Sequence, residues 1–67
     1  MVTFKRQDTL GGGFSIEALD HKMLVGHIRK QPGTRAFRYY RGVHNDLTPI
    51  YEDRDLEALE RRVRENP

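Results

Sequence analysis

Residues 23–41 read MLVGHIRKQPGTRAFRYYR, and the parsing of this stretch decides the fold. Two segments that mix apolar with polar residues, Met23 to Lys30 and Arg35 to Arg41, flank Gln31-Pro32-Gly33-Thr34. Proline presets φ at the first central position of a turn, and glycine accepts the positive φ that the second can require. The stretch therefore predicts two antiparallel strands, about 23–30 and 35–41, joined by a tight turn. With an even number of loop residues, Lys30 faces Arg35, Ile28 faces Phe37, Gly26 faces Tyr39 and His27 faces Arg38. Leu24, Ile28, Phe37 and Tyr39 then share a core face, with Tyr39 over the space left by Gly26. Val25, His27, Arg29, Arg38 and Tyr40 share the other face, and Lys30 and Arg35 flank it at the hairpin end.

Working outward, Val2-Thr3-Phe4-Lys5 and Phe14-Ser15-Ile16-Glu17-Ala18 also alternate apolar with polar. They predict strands at about 2–6 and 14–19, separated by a loose loop containing Gly11-Gly12-Gly13. Asp20-His21-Lys22 makes a short polar break. On the other side, Gly42 to Asp46 is rich in turn formers, and Leu47-Thr48-Pro49-Ile50-Tyr51 is expected to be extended, because a residue before proline avoids the helical region. A helix is predicted over about 53–65, with Asp53 as N-cap, acids in its first turn, and Arg61, Arg62 and Arg64 in its last. Leu56, Leu59 and Val63 fall at i, i+3 and i+7, a narrow apolar stripe that must pack on a sheet. The expected architecture is a small two-layer α+β fold: an antiparallel meander of three to four strands on one C-terminal helix.

The chain of 67 residues has room for one small domain over 1–67. Such a domain buries about 60% of the surface its unfolded chain exposes, which favours a surface site over a deep catalytic cavity. With no cysteine there is neither a disulfide nor a thiolate metal ligand to support the core, so a weak homodimer through unpaired strand edges is expected instead. The longest aliphatic run, Met23-Leu24-Val25, is far too short for a signal or membrane segment, so a cytoplasmic protein with no membrane contact is expected.

Charge is unevenly spread. Residues 1–21 carry two Lys or Arg against three acids, residues 22–44 six against none, and residues 45–67 four against seven. A long cationic stretch without a carboxylate suits an anionic partner.

The motifs of chemistry are better explained by structure. Gly11-Gly12-Gly13 has neither the lysine nor the helix of a phosphate-binding loop. His21, His27 and His44 lack metal-ligand spacing and sit among cations, so no metal or other cofactor is expected. Ser15 lies on a strand without a nucleophile elbow. The acids Glu52, Asp53 and Asp55 fit helix capping rather than acid–base catalysis. The expectation is a non-enzymatic binding module that takes nucleic acid through its basic hairpin. Arg29, Lys30, Arg35, Arg38 and Arg41 neutralise phosphates, and Tyr40 stacks on a base or sugar. The alternative is a protein-interaction or regulatory module that uses the sheet surface, an edge strand or an acidic protein partner. Over about residues 14–65 the layout is similar to the sheet-type DNA readers of plant transcription factors and of integrase arm-binding domains, where a three-stranded sheet enters the major groove with a helix behind it. That similarity rests on no shared motif and assigns no residue its role.

Overall fold

A computed structural model describes residues 1–8, 14–30, 33–43 and 47–67 of the chain. Five strands, β1 (Val2–Asp8), β2 (Phe14–Asp20), β3 (Met23–Lys30), β4 (Phe37–Arg41) and β5 (Tyr51–Asp53), precede one helix, α1 (Leu56–Glu65). The strands form a single antiparallel sheet in the order β1-β2-β3-β4-β5. The count is five rather than three to four. In place of the extended segment expected at 47–51, the strand that pairs with β4 is Tyr51–Asp53, which starts four residues later and shares only Tyr51 with it. No helix among the described residues is long and apolar enough to cross a membrane.

The hairpin that decides the fold has a different register from the one expected. Ile28 faces Tyr39, His27 faces Tyr40, Gly26 faces Arg41 and Arg29 faces Arg38. Each residue of β3 meets a partner two positions later in β4 than the sequence pattern indicates, and Lys30 is not paired with Arg35. Arg35 lies exposed in the connection to β4, which separates two cations that would otherwise stand opposite each other. Because side chains alternate with period two, a shift of two residues leaves the paired residues Gly26 to Arg29 and Arg38 to Arg41 on their expected faces. Gly26 still lies beneath Tyr39, now diagonally: a Cβ built on Gly26 would stand 2.6 Å from Tyr39 Cε1 and 2.6 Å from its hydroxyl. The Gln31-Pro32 half of the turn, the Gly11-Gly12-Gly13 loop and His44 fall outside the described residues.

A second difference reverses the expected facing of two residues. The β2–β3 ladder shifts between Ala18 and Leu19: Ala18 faces Gly26, whereas Leu19 faces Leu24, so Val25 is the extra residue of a bulge. Leu24, expected in the core, joins Leu19 on the opposite face. Val25, expected on that face, packs against the core instead.

The core lies between sheet and helix. Val2, Ile16, Ala18, Ile28 and Tyr39 from the sheet meet Leu59 and Val63 from α1, with Phe4, Val25, Phe37, Tyr51 and Leu56 packed around them. The predicted helical stripe is the buried one. The helix starts at Leu56 because Asp55, not Asp53, is its N-cap and accepts hydrogen bonds from the Glu57 and Ala58 amides at 3.0 and 3.5 Å. Asp53 ends β5 and uses its carboxylate one step earlier, accepting from the Asp55 amide at 2.8 Å. At the other end, the Tyr51 hydroxyl donates to the Asn66 carbonyl at 2.8 Å, and the Arg62 guanidinium lies over the Tyr51 ring, 4.5 Å from its centre. These contacts tie the end of α1 to the last strand, so the helix packs on one face of the sheet; the other, here the open face, is bare of the helix although Ser15 and Tyr40 on it are buried.

Candidate nucleic-acid interface

The side chains of this open face are set by strand register. One row runs Gln7, Ser15, Arg29, Arg38 and Glu52 from β1 to β5, and the next runs Lys5, Glu17, His27 and Tyr40 from β1 to β4. Arg29 and Arg38 are directly opposite each other. A like-charged pair in that position costs a few tenths of a kcal/mol, and Glu52 on the neighbouring β5 offsets it at Arg38. Arg38 Nε donates to Glu52 Oε1 at 2.7 Å, with both side chains about half exposed. Glu52, and to a lesser degree a hydrogen bond with Tyr40, hold the Arg38 guanidinium even more firmly protonated than usual. Between the two rows, Gln7 Nε2 donates to Glu17 Oε1 at 2.7 Å.

Of the six residues expected at the site, three come together here: Arg29, Arg38 and Tyr40. Tyr40 is only 6% exposed, and so its ring is not offered to an incoming base. Lys30 and Arg41 point to the helix side. Lys30 shares the face of Ile28, with Nζ 5.4 Å from the centre of the Phe37 ring, and Arg41 faces Gly26 on the side of Tyr39. Arg35 is exposed in the connection between β3 and β4, at the end of the sheet where Arg29 and Arg38 lie.

Lys5, Gln7, Glu17 and Glu52 also belong to this surface, with Leu19 and Leu24. The alternation expected over about 2–6 and 14–19 already carried Lys5 and Glu17, once those strands are laid beside the basic hairpin, whereas Gln7 lies just past the expected end of the first strand. Glu52 gave no such sign, because a three-residue strand beside a helix start reads as a run of capping acids. Ser15, at 8% exposure, is nearly covered in the middle of the face, His27 has a buried Nδ1 without a hydrogen-bond partner among the described residues, and the Nε of Arg29 is buried as well. The face is thus a ladder of both charges built around a basic pair, rather than a uniformly basic sheet.

Comparison with known proteins adds no relative: no family model, curated protein or solved structure matches the chain.

Proposed function

We propose that the chain is a non-enzymatic binding module whose open sheet face takes the phosphate backbone of a nucleic-acid duplex. One observation carries this reading: Arg29 and Arg38 stand side by side on the face that α1 leaves bare, at the end of the sheet that also holds exposed Arg35. A phosphate between two facing guanidiniums turns an unfavourable pair into a favourable site. The burial of Tyr40 favours a duplex over a single strand, because single-strand binding draws on stacked aromatics and this ring is covered. Phosphate contacts of this kind position a protein on DNA without reading its sequence.

The test is fluorescence anisotropy with a mixed-sequence DNA duplex and its single strand, at low salt and then at physiological salt. The expected result is duplex binding with a Kd on the order of 10–100 μM at physiological salt, tighter at low salt and weaker for the single strand. Glu52→Gln, which frees Arg38 from its carboxylate, should tighten duplex binding. No retention of duplex at low salt overturns the proposal. The presence of Glu17 and Glu52 on the same face favours the second reading, docking of a protein surface that carries both charges; there Glu52→Gln should weaken binding.

A further inference from the structure

The outer edge of β1 carries a separate opportunity. Among the described residues the sheet ends at β1, a seven-residue strand whose ladder with β2 runs from Val2 to Asp8 without a bulge or a proline. The other edge, β5, is only three residues long and leads directly into the helix. Proteins usually shorten, kink or cover such an edge, because its outward amides and carbonyls template another strand. Among the described residues the device used here is charge. Lys5, exposed at the centre of the strand, projects on the open face beside Glu17, and exposed Arg6 projects on the helix face beside Ile16. Close to them on the helix face, the Arg64 guanidinium lies 5.1 Å from the centre of the Phe4 ring. The edge strand therefore presents one cation on each face, Lys5 beside Glu17 and Arg6 beside Ile16.

This pattern separates two kinds of occupant. In a fully overlapped antiparallel pairing of two copies, Lys5 would face its own counterpart, which works against the homodimer that bare edges otherwise invite. An extended segment with adjacent acids would instead place one carboxylate beside Lys5 and the next beside Arg6, since successive side chains of a strand point to opposite faces. We infer that β1 is a docking edge for an extended acidic peptide segment, which adds a sixth strand to the sheet by main-chain hydrogen bonding. The inference is independent of duplex binding on the open face.

The probe is a fluorescein-labelled, blocked heptapeptide with two central glutamates flanked by threonine and valine, titrated into the full chain by anisotropy. A second peptide carries proline in place of the residues beside the glutamates, and a third carries lysines in place of the glutamates. Binding of the first peptide alone is expected, with slowed hydrogen exchange at alternate amides of β1 and none at Arg29 or Arg38. Lys5→Glu, a change at an exposed position, should weaken that binding at least about threefold, while Arg29→Gln with Arg38→Gln should leave it unchanged. Equal binding of the proline peptide, protection of the open face instead of β1, or β1 protection that grows with protein concentration in the absence of peptide would each overturn the inference. So would a flat titration to millimolar peptide.

Discussion

A methyl group on Gly26 would meet a packed ring and, 2.6 Å away, the Tyr40 main-chain carbonyl, neither of which can step aside as the end of a flexible side chain can. Gly26→Ala should therefore cost about 2–3 kcal/mol, a large share of the 3–5 kcal/mol that a core of this size supplies. A urea melt reads it directly, and an unchanged midpoint would mean that Tyr39 does not pack over Gly26. The Tyr39 hydroxyl invites the opposite change. It is buried and makes no hydrogen bond among the described residues, so removing it relieves a desolvation penalty of about 1–3 kcal/mol, and Tyr39→Phe should be at least as stable as the parent. Burial also raises the pKa of this phenol above its ordinary 10.0, with Arg41 opposing. The folded chain then keeps a proton that the unfolded chain releases near pH 10. The stabilisation is complete below that pH and is lost as pH rises through the folded value. Melting temperatures of parent and Tyr39→Phe should diverge less below pH 9 than above pH 10, where the parent falls faster; parallel curves would count against it. The placement of Gly26 beneath Tyr39 is legible in the sequence, because period-two alternation survives a two-residue slip. The partner of Arg38 is not: Glu52 lies 14 positions away, on a strand too short to show alternation.

Among the elements, the β2–β3 hairpin stores the clearest strain. Asp20 and Met23 are paired across a two-residue turn whose central residues, His21 and Lys22, both have positive φ, 51° and 68°. Such a turn matches the twist of its strands, but it is usually built from Asn-Gly because a Cβ disfavours that backbone. His21→Asn with Lys22→Gly should stabilise the chain by about 1 kcal/mol. Removing the 3.6 Å surface contact between His21 Nε2 and the Asp20 carboxylate is a small offset. A lower melting temperature for the double variant would show that the native pair contributes something beyond closing the turn. Sequence alone marks Asp20-His21-Lys22 only as a polar break, since neither central residue is a recognised former of this turn. The bulge at Val25 is likewise silent, as alternation carries no mark for one extra residue. The helix is the opposite case. Its stripe of Leu56, Leu59 and Val63 is legible from spacing, while its first residue depends on which of two closely spaced aspartates caps it, and both can.

At the scale of the whole molecule, the uneven charge of the sequence is partly undone by folding. The cations of β3 and β4 are flanked by β2 on one side and β5 on the other, so Glu17 and Glu52 enter a face that looks uniformly basic when the hairpin is read alone. What remains is a local basic pair, Arg29 and Arg38, on a sheet with a helix behind it. The direct test is the salt dependence of duplex binding by the parent and by Arg29→Gln with Arg38→Gln. Both guanidiniums are on the face away from the core, but Arg29 has a buried Nε and Arg38 is bonded to Glu52, so the variant should stay folded and melt slightly below the parent. If each guanidinium holds one phosphate, the slope of log affinity against log salt should shrink by about 1.8, roughly 0.9 for each phosphate released, with affinity lowered alike on every duplex sequence. A variant that keeps the parent's slope and affinity would contradict the account and remove the open face from any role in holding nucleic acid.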